Sequence, residues 1–203
     1  MKDAVLILVD IQNDFLPGGA LAVPGGDAII PVVNRLQPHF ALVVATQDWH
    51  PPDHMSFATN HAGAKPFDQT TLHGSPQTLW PDHCVQGTPG AEFAPSLDLR
   101  RVEAIFRKGT DPEIDSYSGF FDNGRRKSTG LADYLRGKGV TSVYLVGLAG
   151  DICVWFTALD AARAGFRTTM VNDACQPLDA AVFAAQAKER DAAGIALVAS
   201  TAW

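Results

Sequence analysis

The fold class this sequence predicts is an α/β sandwich around one parallel sheet, and three observations carry it. Six apolar, β-branched runs punctuate the 203 residues, at 4–10, 41–48, 102–108, 142–148, 167–173 and 194–200. Most are continuously apolar rather than alternating, as strands are when a parallel sheet is covered on both faces. The segments between them carry helical spacing, and strands alternating with helices build crossover units on one sheet.

Taken in order, "AVLILVD" is the first strand, and its apolar part is far too short to span a bilayer and has no cleavage site behind it. "DAIIPVVNRLQ" (27–37) reads as a helix with Asp27 as its N-cap, followed by the strand "ALVVATQD". From 49 to 98 the chain is rich in Pro, Gly, His and Trp and shows no sustained period. An insertion of that length is usually functional, and it is expected across the carboxyl ends of the strands, where open α/β sheets bind ligands. "VEAIFRK" is the third strand, and "STGLADYLRGKG" (128–139) is a helix framed by Ser128 and Gly139. "SVYLVGL" leads to a helix at 151–165 opened by Asp151, "RTTMVND" leads to a helix at 179–190, and "GIALVAS" closes the sheet. No repeat, low-complexity tract or linker interrupts the series, so residues 1–203 read as a single domain.

Composition bounds the function. Hydrophobic residues make up 46% of the chain and charged residues 19%, enough for one well-buried core. A net charge of −6 argues against nucleic acid or an acidic membrane as partner, since both attract basic surfaces. A small molecule is the expected partner, with assembly into a homo-oligomer left open. Cys84, Cys153 and Cys175 form neither a CxxC pair nor a secreted disulfide framework, which fits a cytoplasmic protein. Each thiol is a core residue unless its neighbourhood says otherwise.

Three strands end in a polar residue that packing would not choose. Asp10 ends the first, Lys108 the third, and the fourth leads through "GLAGDIC" to Cys153 in the first turn of a helix. Parallel strands bring all three to the same sheet edge. A free thiol titrates near pH 8.5, and a helix start and a nearby ammonium both favour its thiolate. A carboxylate beside it can take the thiol proton and return it to a leaving group. Backbone amides around Ala149 and Cys153 are then placed to face a developing oxyanion. Asp48 and His50, two apart at a strand end, with His54 and the later His83, supply carboxylate and imidazole donors suited to one divalent ion, whether zinc, iron or manganese. Phe15, Trp80 and Tyr117 lie in loops, where three aromatics near one rim suit a flat ring.

The segments "VDIQNDF", "QDWHPPDHMSF", "WPDHCVQGTPGAEF", "FRKG", "YSGFFDN" and "VGLAGDICV" together resemble the nicotinamidases, within the isochorismatase-like cysteine hydrolases. The resemblance spans nearly the whole chain, in order. It implies a three-layer α/β/α sandwich with a six-stranded parallel sheet. It also implies hydrolysis of nicotinamide to nicotinate and ammonia through a cysteine thioester, with pyrazinamide as a further substrate, in NAD salvage. By motif, Asp10, Lys108 and Cys153 fall on the catalytic triad, and Asp48, His50 and His83 on the metal ligands. A cis peptide between Leu148 and Ala149 is implied, with the amides of Ala149 and Cys153 as the oxyanion hole. Phe15, Trp80, Tyr117 and Ala149 fall where relatives hold the pyridine ring. Gly150 stands where relatives commonly have Thr. His54 stands where some relatives have a fourth ligand and others leave the position to water.

Overall fold

The computed structural model describes residues 1–203. Its centre is a six-stranded sheet made of β1 (Ala4–Val9), β2 (Leu42–Asp48), β5 (Val102–Lys108), β6 (Ser142–Leu148), β7 (Arg167–Gln176) and β8 (Ala196–Val198), in the order β5-β2-β1-β6-β7-β8. Every neighbouring pair is parallel. The central strand β1 is buried along its whole length, which is why "AVLILV" shows no alternation. Edge strand β5 does alternate, and its pattern ends on the buried Lys108.

Side chains of β1 divide between the two faces of the sheet. Leu6 and Leu8 pack with Ile30, Val33 and Leu36 of α1 (Ile30–Leu36). Val5, Ile7 and Val9 pack with Leu131 and Leu135 of α2 (Leu131–Gly137) and with Val154, Trp155 and Ala158 of α3 (Cys153–Arg163). The result is three layers with two apolar cores, and burying a Leu or Ile side chain in either is worth roughly 1.5–3 kcal/mol. After β7 come α4 (Ala180–Ala185) and α5 (Ala187–Ala192), a break in the single helix expected at 179–190.

Helix starts differ from the sequence reading. Asp27 lies in a 3-10 turn and α1 begins at Ile30. Asp151 does not cap α3. Its carboxylate instead accepts the backbone N–H groups of Leu178 and Asp179 and pins the loop after β7. Within the 49–98 insertion stands an antiparallel hairpin, β3 (Gln69–Leu72) and β4 (Ser75–Thr78), which forms a small sheet of its own. No helix is long and apolar enough to cross a membrane.

Candidate active site

The strand ends that carry Asp10 and Lys108 converge with the start of α3, as parallel topology requires. Next to them β1 and β6 approach so closely that a Cβ on Gly147, which holds φ +133, would sit 2.1 Å from the Val9 carbonyl oxygen. Asp10 itself holds φ 48, an uncommon conformation for a non-glycine residue and one that concentrates at functional sites.

Lys108 is the hub. Its Nζ donates to Asp48 Oδ1 at 2.9 Å, to the Ser116 carbonyl at 2.9 Å and towards Cys153 Sγ at 3.5 Å. It also lies 2.9 Å from Asp10 Oδ2. Burial opposes its charge, but the carboxylates of Asp10 and Asp48 overcome that and hold the ammonium well above the ordinary lysine range. Asp10 takes a 2.6 Å hydrogen bond from Thr46 on Oδ1, while Oδ2 accepts no well-directed hydrogen bond and stays open to a proton. Burial raises the Asp10 carboxyl against the pull of Lys108, as suits a base. Of the influences expected on Cys153, the helix start and the ammonium do not suffice to give a resting thiolate, and the carboxylate base is needed. Burial pushes this thiol well above its usual range, and the Lys108 ammonium only partly offsets it. Cys153 therefore rests as a thiol and needs a base. Cys84 and Cys175 are buried, free and likewise pushed up by burial.

The Leu148–Ala149 peptide is cis. The backbone N–H groups of Ala149 and Cys153 donate to no acceptor in the protein. Gly150 fits tightly: its N–H donates to Gln176 O at 2.8 Å, and a Cβ there would meet the Gln176 and Pro177 backbone at 3.3 Å.

Beside this cluster lie Asp48, His50 and His83, whose ligand atoms fall within 4.8 Å of one another. Hydrogen bonds fix the ring tautomers. His50 Nδ1 is 3.0 Å from the Gly109 carbonyl and His83 Nδ1 is 2.8 Å from the Pro81 carbonyl. A carbonyl only accepts, so each Nδ1 carries a proton and each Nε2 is the ring nitrogen turned to the site. Both Nε2 atoms face Asp48 Oδ2, at 3.0 and 3.4 Å, and this carboxylate raises the His50 imidazole above its ordinary value against burial. Two imidazole nitrogens and a carboxylate oxygen this close together form a donor set that suits a divalent ion. His54 differs. Its Nδ1 accepts the Ser56 backbone N–H at 3.1 Å, so its buried, unpartnered Nε2 carries the proton and is a donor. Gly109 is indispensable here: it holds φ +65, and a Cβ would come within 2.4 Å of the His50 ring.

Phe15, Trp80 and Tyr117 line one pocket of about 380 Å³ together with Asp48, His83, Ala149 and Cys153. Trp80 Nε1 donates to Tyr117 Oη at 3.3 Å, and Phe15 packs on the His83 ring with centroids 5.5 Å apart. All the site residues read from the sequence are thus brought to one locality. Sequence reasoning missed Gln12, whose side chain pairs with both the N–H and the C=O of Asp48 at 2.8 Å. It also missed Thr46, the Ser116 carbonyl and the buried pocket carboxylate Asp115. Only Gln12 had a signal, its place inside "VDIQNDF".

A parallel α/β sandwich with a thiol, a carboxylate and an ammonium gathered at its carboxyl edge defines a hydrolase class, and the isochorismatase domain matches residues 4–202, so the chain belongs to that family. Within it, the chain belongs with the nicotinamidases. It is 52% identical over 178 residues to the nicotinamidase of Acinetobacter baylyi, covering 88% of this chain and 83% of that protein. A solved nicotinamidase/pyrazinamidase of Acinetobacter baumannii superposes with a TM-score of 0.96 at 45% identity, covering 100% and 98% of the two chains. The pyrazinamidase of Pyrococcus horikoshii, solved in complex with zinc, gives 0.80 at 41% identity over 97% and 99%.

Proposed function

We propose that this chain hydrolyses the carboxamide of nicotinamide, and of pyrazinamide, to the acid and ammonia, with Cys153 as nucleophile. The observation that carries the reading is the buried arrangement of Lys108 between Asp10, Asp48 and Cys153, beside two uncommitted backbone amides.

The ring enters the slot formed by Phe15, Trp80 and Tyr117, with its carboxamide over Cys153. Asp10 Oδ2 takes the thiol proton as sulfur attacks the carbonyl carbon, so a thiolate never accumulates in the buried site. The oxyanion meets the Ala149 and Cys153 N–H groups, already desolvated and unpaired. Asp10 then hands its proton to the departing nitrogen, ammonia leaves, and a thioester to Cys153 remains. Asp10 next deprotonates the water that attacks this thioester, and the acid leaves as sulfur regains a proton. Lys108 keeps the Asp10 carboxylate and the transient thiolate within one electrostatic frame throughout. Asp48, His50 and His83 would hold one divalent ion, which when bound acts as a template that orients the ring.

The experiment is ammonia release from nicotinamide by purified wild type and Cys153→Ala, side by side. Turnover by wild type alone supports the reading; equal turnover by both moves the nucleophile away from sulfur and overturns it.

A further inference from the structure

The β3–β4 hairpin is largely exposed, yet one of its residues is buried, and that residue is polar: Gln77, at 3% exposure. A buried amide on an otherwise solvated two-stranded ribbon calls for a reason, since such a ribbon is marginal by itself. The contacts of Gln77 Nε2 supply one. It donates to Asp115 Oδ2 at 3.0 Å, to Tyr117 Oη at 3.0 Å and to the Thr78 carbonyl at 2.7 Å, sharing two N–H groups among three acceptors. Tyr117 Oη also receives Trp80 Nε1, so the hydroxyl is gripped from the hairpin side twice.

We propose that Gln77 is a positioning residue that sets the aromatic slot for the ring by latching the hairpin to the 109–127 loop. This rests on the reading above, in which Trp80 and Tyr117 hold the ring. The latch acts on Tyr117 from outside the pocket, because Gln77 does not line it whereas Asp115 and Tyr117 do. An amide is the right group for the task. A carboxylate there would face Asp115, like charge against like charge, and an alkyl chain would leave a buried carboxylate short of a donor.

The latch is separable from the reacting atoms. Asp115 Oδ1 holds the Ser116 N–H at 2.7 Å, and the Ser116 carbonyl holds Lys108, so Gln77, on the other oxygen of Asp115, touches the Lys108 cluster only through this relay and makes no contact with Lys108 itself. Lys108 and Cys153 stand on β5 and α3, and Asp10 and Ala149 directly follow β1 and β6. Loss of the latch therefore weakens ring binding and leaves the chemical step in place.

The test measures kcat and KM for nicotinamide in metal-loaded wild type, Gln77→Leu, Gln77→Glu, Tyr117→Phe and the Gln77→Leu/Tyr117→Phe double variant, with metal content and Tm alongside. Gln77→Leu is expected to raise KM about tenfold, with kcat within about twofold and one metal per chain retained. Gln77→Glu should be worse than Gln77→Leu. The double variant should be no worse than the poorer single, because both remove the same contact. An unchanged KM in Gln77→Leu, or additive losses in the double variant, would overturn the latch. So would a fall in kcat together with metal or Tm, which marks a merely structural role. Trp80→Ala and Tyr117→Ala separate the two levels. If these leave KM unchanged, the ring-holding reading fails; if they raise it while Gln77→Leu does not, only the latch fails.

Discussion

Two buried polar clusters share Asp48 and solve opposite problems. Around Lys108 the charges are complementary: one ammonium is surrounded by two carboxylates, a carbonyl and a thiol, and the protein balances itself. Around His50 and His83 two imidazole Nε2 atoms gather on one carboxylate oxygen, a donor set suited to a cation. The first cluster moves protons, so its members sit where one proton can pass among them. The second holds its three donor atoms in fixed places, so it orients rather than reacts. The contrast makes the two separable by substitution, which the following outcomes test.

The largest effect is expected at Cys153. Cys153→Ala should lower turnover by about 10⁴-fold or more while keeping one metal per chain. His83→Ala should lose the metal while Cys153 still alkylates with iodoacetamide. Metal loss in the cysteine variant would show that the clusters are one unit.

Next is Lys108→Met, which strips the first cluster of its cation. Breaking a buried ion pair from one side costs about 3–5 kcal/mol, read from a shift in the urea midpoint at constant m. Without the ammonium, burial raises the Asp10 carboxyl further, so the folded variant binds its proton more readily than the unfolded chain does. Its deficit should therefore shrink as pH falls and grow as pH rises. A deficit independent of pH would mean that the lysine acts through packing alone.

Smaller is the expected effect of His54→Ala. His54 Nδ1 accepts the Ser56 N–H, which leaves Nε2 as a donor, yet its ring also lies with His50 and Asp115 in a group whose ligand atoms fall within 4.8 Å of one another, and the variant decides between the two roles. The variant should keep one metal per chain, and the cobalt-substituted protein should keep the visible spectrum of the wild type. Activity should fall within about tenfold, the usual scale for groups that act around a metal rather than on it. A changed cobalt spectrum would make His54 a ligand after all.

How far the sequence carried this picture depends on what each element signals. Apolar runs, most of them continuous, marked the six strands, and polar residues at the ends of some marked the site, because buried parallel strands leave few other reasons for Asp10 or Lys108. The hairpin was not legible. Its strands are four residues each, mostly polar, and one contains Pro76, so no period of two emerges. Gln77, Asp115 and Thr46 were invisible for a different reason: their hydrogen bonds cross 36 to 40 residues of sequence, and no local pattern encodes such a partner. Asp151 misled because a carboxylate two residues before a helix looks like a cap, while its real partners lie 27 and 28 residues away.

The smallest effect tests the base itself. Thr46 donates a 2.6 Å hydrogen bond to Asp10, which favours the ionised carboxylate and opposes the upward push of burial. Asp10 must be ionised to accept the thiol proton, so kcat/KM should decline as pH falls through its folded pKa, which lies above the usual carboxylate value. Thr46→Val keeps the shape and deletes the donor. The ionised form then loses a bond worth about 1 kcal/mol, and the acid limb of kcat/KM should move to higher pH by about half to one unit. Above that limb the rates of variant and wild type should nearly coincide, since the base is ionised in both. Because the folded pKa rises while the unfolded one does not, the variant should also be least stable, relative to wild type, at neutral pH and recover in acid. An acid limb that stays fixed, or moves down, would assign the proton to another group and leave Asp10 as no more than a partner of Lys108.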